Sequence, residues 1–355
     1  MIDIASKLLL YYPKYNAIQT TDELFDTRTE VFDIYIDLYR LVCSVYKPDV
    51  TIDRISQERQ RPLVLVSSIV NMCAHFRDYY RRAFRANTRI FLVYSSGKFT
   101  TSKKYYSGYD KTNEALRTND RYKCSIIEKS ISLLGSLAAY LPDIYLVKTD
   151  YEVYLKVYDI IQKEYCGYPS ILYTKEHLSC LLASEMDEIV VFNHISGRND
   201  RIVVSNRYNA IETFYEVDNK NISSFIKDIR SINPFMLSIL IAFTGYKRRD
   251  LRACKNIGYM VKRICNLIDQ GYISNDYCDP RMVYDNLSKS DKKTIDIDLI
   301  ENRWKAIDIR FQYEWYKNSF EYTDTSYKID IDNPKELQYV NDHYFIGMPL
   351  DLQRL

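Results

Sequence analysis

Apolar and polar positions fall into stretches of helix length and strand length that alternate along most of the chain. VFDIYIDLYRLVCSVY, from Val31 to Tyr46, follows capping residues at Asp26–Thr29 and leaves one narrow charged face at Asp33, Asp37 and Arg40, a spacing that predicts a helix ended by Pro48. Arg61–Ser68 (RPLVLVSS) is a short unbroken apolar run, the pattern of a central parallel strand. IVNMCAHFRDYYRRAFR then reads as a helix, RIFLVYSSG as a strand, SIIEKSISLLGSLAAYL as a helix stopped at Pro142, and Ile144–Lys148 as a third strand. YLKVYDIIQKEY is a further helix, Ser170–Lys175 a fourth strand, HLSCLLAS a short helix and EIVVFN a fifth strand, while RIVVSN and AIETFYEVD are expected as an edge pair. Repeated strand–helix–strand units predict an α/β fold: a mainly parallel central sheet with helices on both faces and right-handed crossovers. Ligands of such sheets gather at the carboxyl ends of the strands.

The last third is helical in pattern. INPFMLSILIAFTG has Asn233 as cap and Pro234 in its first position, and YMVKRICNLIDQG is closed by Gly271. Ile300–Asn318 reads as one helix holding both tryptophans, and the tail from Asp324 onward as short strand and irregular structure. The expected organisation is a helical N-terminal extension (1–60), a main domain (61–275) that includes a helical hairpin (231–271), and a C-terminal extension (276–355).

Composition adds little to the fold and something to the partners. At 355 residues and 46% hydrophobic the chain can bury a sizeable core. Tyr is abundant, at 34 against 9 Gly and 9 Pro; it suits cores, interfaces and base stacking alike, and the same skew follows from an AT-rich coding genome. A net charge of +2 provides no whole-molecule attraction to nucleic acid, so local clusters must carry that argument. Residues 77–123 hold twelve Lys/Arg against four Asp/Glu, with Lys103 and Lys104 in their midst and Tyr79, Tyr80, Tyr105, Tyr106 and Tyr109 interleaved. That mixture suits phosphates and bases, as it also suits a solvated helix face followed by a loop. Eight cysteines without a CxxC pair and four scattered histidines lack the spacing of a structural zinc site; they read as buried thiols in a reducing compartment, the cytoplasm. No apolar run reaches the ~18 residues of a membrane span, and the N-terminal one, broken at Pro13, is too short for a signal peptide. There is no Gly-rich phosphate loop and no Gly-x-Ser-x-Gly elbow; His75, near Ser67 and Ser68, reads as structural.

The most informative stretch is Ile241–Gly258, IAFTGYKRRDLRACKNIG. It resembles the segment of the 5′-nucleases (flap endonucleases and polymerase 5′-exonuclease domains) in which a helix ends in Gly-Asp-x-x-Asp and a turn leads to the next helix. Gly245 and Gly258 stand at the family's separation, but Tyr246 and Arg249 occupy the two aspartate positions. The resemblance covers roughly residues 61–275. It implies a PIN-like scaffold, two Mg²⁺ ions held by acids at the strand ends, and a hairpin that binds duplex backbone. Against the family pattern Ser67 or Ser68 takes the acid's place at the first strand, Ser95 at the second, and Thr174 in the motif after the fourth. Asp150, Glu152 and Glu176 are left as acidic remnants, although acids in a first helical turn have an ordinary reason to be there.

Two-metal hydrolysis needs several carboxylates per ion. The expectation is therefore no metal and no cofactor, in a non-catalytic nuclease-like protein of a virus or phage that binds nucleic acid or joins a larger assembly of viral proteins. Arg249 is expected to replace a cation, holding either the acidic remnants or a phosphate. DNA contact is assigned to Lys103, Lys104, Lys247, Arg248, Arg249, Arg252, Lys255, Lys262 and Arg263; an acidic protein partner would suit the same surface. Two alternatives stand beside this: an active Mg²⁺-dependent 5′-nuclease recruiting Asp110, Asp143, Asp150, Glu152, Asp159 and Glu176, and a structural virion protein without nucleic-acid contact.

Overall fold

A computed structural model describes residues 31–39, 42, 54–119, 121–138, 141, 143–164, 168–195, 201–218, 229, 231–251, 256–276, 278–317 and 325–327. In chain order they form β1 (Val31–Asp37), α1 (Arg54–Phe84), β2 (Asn87–Ser95), α2 (Thr100–Tyr105), α3 (Lys111–Asn119), α4 (Arg121–Ala138), β3 (Ile144–Thr149), α5 (Val153–Glu164) and β4 (Ser170–Thr174). There follow α6 (Cys180–Glu185), β5 (Ile189–Ile195), β6 (Arg201–Ser205), α7 (Ala210–Asp218), α8 (Leu237–Thr244), α9 (Ile257–Asp269), α10 (Pro280–Asp285), α11 (Lys289–Lys292), α12 (Ile297–Ile307), α13 (Ile309–Lys317) and β7 (Thr325–Tyr327).

The strands make one sheet in the order β6-β5-β4-β1-β2-β3-β7. Strands β5, β4, β1, β2 and β3 run parallel, and β6 and β7 close the edges antiparallel. The two-residue period of a strand divides its side chains between two layers. Phe32, Ile34 and Ile36 join Ile90, Leu92, Ile144 and Leu146 under α1 and α4. Tyr35, Phe91, Val93, Val147 and Leu172 face the larger core with α5, α6, α8, α9 and α12. The expected α/β architecture, with a mainly parallel sheet covered on both faces, is the observed one.

Its assignment to the sequence differs at the start. Val31–Asp37 is the central strand, not a helix, and Arg61–Ser68 lies inside the 31-residue helix α1, not in a strand. The sheet therefore begins in the stretch expected to be an N-terminal extension. Asp33 and Asp37 are four residues apart, an even number, so they share a face of a strand as readily as a face of a helix. AIETFYEVD is helix α7 instead of an edge strand, and Ile300–Asn318 is broken at Asp308, where extended backbone separates α12 from α13. Helices α12 and α13 supply Ile300, Ile307 and Ile309 to the larger core, and β7 pairs with β3, so the C-terminal stretch belongs to the same fold. Cys73, Cys180, Cys265 and Cys278 are buried thiols. No described helix is long and apolar enough to cross a membrane.

Candidate functional site

At the carboxyl edge of the sheet the strands end in Asp37, Ser95, Thr149 and Thr174. Two acids follow directly. Glu152 opens α5, accepting the Lys156 N–H through its carbonyl, and Glu176 caps the short 3₁₀ turn His177–Ser179, its side chain accepting the Leu178 N–H. Both sit where a helix end favours negative charge. Asp110 precedes α3 in left-handed conformation, at φ 57°.

A fourth element brings the opposite charge. Helix α8 ends at Gly245, whose φ of 81° and ψ of 169° only glycine adopts without strain. The chain then folds back on itself: Tyr246 and Leu251 exchange backbone hydrogen bonds of 2.7 and 3.1 Å around the turn Lys247–Arg249. The base of α3 holds this turn in place. Asp250 accepts the Thr112 backbone N–H and hydroxyl at 2.8 and 2.6 Å, Asn113 donates to the Arg248 carbonyl at 2.7 Å, and the Asp110 N–H reaches the Arg249 carbonyl at 3.1 Å.

The turn buries the Arg249 guanidinium, 2% exposed, among three carboxylates. Nη1 donates to Asp110 Oδ1 at 2.7 Å, Nη2 lies 2.7 Å from Glu176 Oε2 and 3.0 Å from Glu152 Oε2, and Nε is 2.8 Å from Glu152 Oε1 without the direction of a good hydrogen bond. Two phenols complete the shell: Tyr109 donates to Glu152 Oε1 at 2.6 Å and Tyr246 to Glu176 Oε1 at 2.7 Å. The Phe99 ring lies 4.7 Å under the guanidinium. Beside this cluster Thr174 donates to Asp37 at 2.9 Å and accepts the Glu176 N–H at 2.9 Å. Asp37, Glu152, Glu176, Ser95 and Arg249 border a crevice of about 30 Å³. At about 10–15 Å³ per water it has room for two or three water molecules.

Burial pushes the Glu152 carboxyl up to about 7; Arg249 and the Tyr109 hydroxyl oppose the rise, and the Glu176 and Asp110 charges add to it. Burial works against the Arg249 cation, but Glu152, Glu176, Tyr109 and Asp110 outweigh it and hold the group well above its ordinary value. A carboxyl raised in the folded state keeps its proton after the unfolded chain has lost its own. It therefore removes stability as pH rises from about 4.5 to about 7. With Arg249, Glu176, Asp110, Tyr109 and Tyr154 unchanged around it, Glu152→Gln is expected to gain melting temperature relative to the parent across that interval, whatever their constant offset. A difference independent of pH would overturn this assignment.

The sequence expectations sort clearly on this geometry. Glu152 and Glu176, read as remnants, converge; Asp150 turns outward to Ser96 and Lys98 at 2.6 and 3.0 Å. Of the acids that an active nuclease was expected to recruit, Asp110 joins the cluster. Asp143 pairs with Arg77, and Asp159 with Lys156 and Lys163. Ser95 lines the crevice and Thr174 and Tyr246 bond acids that line it, but Ser67 is on α1, and the acid at the first strand's end is Asp37. The crevice is therefore not emptied of negative charge; an internal cation compensates it. Of the basic residues assigned to DNA, Arg249 is buried and unable to reach a phosphate. Lys247, Arg248 and Lys262 are exposed, Arg263 is half-buried near Asp291, Lys103 pairs with Glu114 and Lys104 lies over Trp315. Arg252 and Lys255 lie outside the described residues. Asp37 was legible only by placing β1 first, for which the alternation in FDIYID was the available signal; Asp110 was named only for the active-nuclease alternative.

No family model matches the chain, and no curated protein does. Among solved structures it is similar to the T5 D15 protein co-crystallised with metal ions, at TM-score 0.50 and 12% identity over 78% of this chain and 89% of that one. It is equally similar to bacteriophage T5 D15 flap endonuclease in a pseudo-enzyme–product complex with DNA and metal ions, again at TM-score 0.50 and 12% identity over 78% and 89% of the two chains. The likeness establishes a 5′-nuclease type of α/β scaffold.

The metal ions in those structures raise the question of fit here. A hard divalent cation needs several anionic oxygens. In this chain Asp110, Glu152 and Glu176 direct theirs to Arg249, Tyr109 and Tyr246. A divalent ion about 4 Å from the guanidinium would be repelled by about 8 kcal/mol at an effective dielectric of 20. These residues do not fit a two-metal centre.

Proposed function

We propose that this chain is a non-catalytic protein on a 5′-nuclease scaffold that binds nucleic-acid backbone, and that its source is a virus or phage. The observation that carries the reading is the Arg249 guanidinium seated among Asp110, Glu152 and Glu176. Hydrolysis by two metals requires those oxygens on the metals, and here the guanidinium holds them. Nucleic-acid binding is supported by the surface of the same turn, where Lys247 and Arg248 are exposed; Lys262 is exposed on α9 and Lys111 at the start of α3. The phage flap endonuclease of similar fold was crystallised with DNA. The Tyr-rich, Gly- and Pro-poor composition suits an AT-rich viral genome.

Purified protein is expected to bind duplex and 5′-flap DNA with an affinity that falls steeply with salt, and to cut neither with Mg²⁺ or Mn²⁺. Lys247→Ala with Arg248→Ala should weaken binding about tenfold and lower the salt slope by about 2, since each cation releases about one counterion. Strand scission that disappears in Glu152→Gln would instead identify an active nuclease. Absence of any salt-dependent binding would leave a structural subunit and sink the nucleic-acid reading.

A further inference from the structure

A cavity of about 230 Å³, many times the size needed for one water, lies between α8, α12 and α13 and shares no lining residue with the Arg249 crevice. Its wall combines two kinds of surface. Phe235, Trp304 and Phe311 present rings, and Glu185, Asp276, Asp308 and Glu314 present carboxylates, against Arg310 as the cation of the lining.

Arg310 is already engaged: its Nε pairs with Glu185 at 2.5 Å and its guanidinium lies 4.2 Å from the Phe235 ring centre. Asp308 is buried, yet both of its oxygens are held by neutral donors, the Phe311 N–H at 2.8 Å and the Ser238 hydroxyl at 2.7 Å. Among the described residues no cation comes within ion-pair distance of Asp308 or of Asp276, which accepts the Asn233 amide at 2.7 Å. A buried carboxylate without a counter-charge is costly, and a cation placed beside it removes that cost. Aromatic faces attract organic cations in particular. Phe235 already carries two such groups, with Arg207 4.7 Å from its centre in addition to Arg310. A bare divalent ion suits this wall poorly, because the rings offer it no oxygen. Burial also raises the Asp308 and Glu185 carboxyls, Glu185 to about 7, although the Arg310 charge opposes the rise at both.

We infer that this cavity binds a small organic ammonium ion, a primary alkylamine or diamine, between the aromatic wall and Asp308 with Asp276. Trp304 reports on it directly once Trp315→Phe removes the other tryptophan. In that variant, titration with putrescine is expected to change the Trp304 emission saturably and to raise the melting temperature; 1,4-butanediol, and NaCl at matched ionic strength, should do neither. Asp308→Asn and, separately, the more exposed Asp276→Asn should each weaken the putrescine response tenfold or more. The second variant keeps the test open if the first fails to fold. A putrescine response equal to that of NaCl, or one unchanged in Asp276→Asn and any folded Asp308→Asn, would overturn the inference.

Discussion

Arg249→Met is expected to lose about 3–5 kcal/mol of folding stability at neutral pH, read as a lower urea midpoint at unchanged slope. The substitution preserves much of the side-chain volume and removes only the charge and its five N–H donors. What remains is a pocket in which Asp110, Glu152 and Glu176, all nearly inaccessible to water, face one another with only phenols and amides between them. The penalty is that of uncompensated buried charge, so it is limited by whichever carboxyl can take up a proton. Glu152, already pushed up to about 7, is the first in line. The loss should therefore shrink as pH is lowered through the range in which Glu152 protonates. Arg249→Lys should recover part of the loss, because one ammonium cannot reach three acids with a planar fork. A loss below about 1 kcal/mol would mean that the three contacts do not hold in solution, and the metal-free reading would go with them.

The role of Arg249 was half legible in the sequence. A basic residue at a position that the 5′-nuclease pattern reserves for an acid pointed to a missing metal and to a substitute cation. The sequence kept Glu152 and Glu176 as acidic remnants but did not show Asp37 at the first strand's end. Glu152 and Glu176 were noticed because each directly follows a recognisable strand, IYLVKT or SILYT, and a helix start rationalises an acid at that place. Asp37 was missed because a buried strand flanked by further apolar residues gives a four-residue spacing of acids that a helix reproduces. RPLVLV then took the place of the first strand, since a short apolar run has no period by which strand and helix can be separated. That one displacement moved the expected first-strand acid from Asp37 to Ser67 and took one carboxylate out of the expected crevice. The parallel core strands β2 to β5 were legible throughout, because each is a short β-branched or aromatic run bounded by turn residues. The break at Asp308 was not: IENRWKAIDIRFQYEWYKN keeps a helical period across it, and the interruption depends on Asp308 accepting the Phe311 N–H and the Ser238 hydroxyl.

Asp33 shows why a central strand tolerates the acids that made it look like a helix, and Arg89→Met is the variant that exposes the dependence. Asp33 is 3% exposed in the middle of the sheet, and Arg89, its neighbour in register on β2, holds both of its oxygens at 2.7 Å. The Tyr35 hydroxyl adds a longer contact of 3.3 Å, and the Arg89 guanidinium stacks 5.4 Å from Phe91 and 5.5 Å from Tyr168. Removing the guanidinium alone should cost about 3–5 kcal/mol, comparable to Arg249→Met, because the carboxylate stays buried. Removing both charges is a different experiment. Asp33→Leu with Arg89→Met places apolar side chains opposite each other on neighbouring parallel strands, and the pair is expected to fall within about 1 kcal/mol of the parent or above it. The coupling between the two sites should then be large and favourable, of the order of the single Arg89→Met loss. If Val31–Asp37 were a surface helix, Arg89→Met would cost no more than about 0.5 kcal/mol and the two substitutions would simply add. The double-mutant cycle thus tests the placement of β1 at the sheet's centre, on which the position of Asp37 beside Glu176 and Arg249 depends.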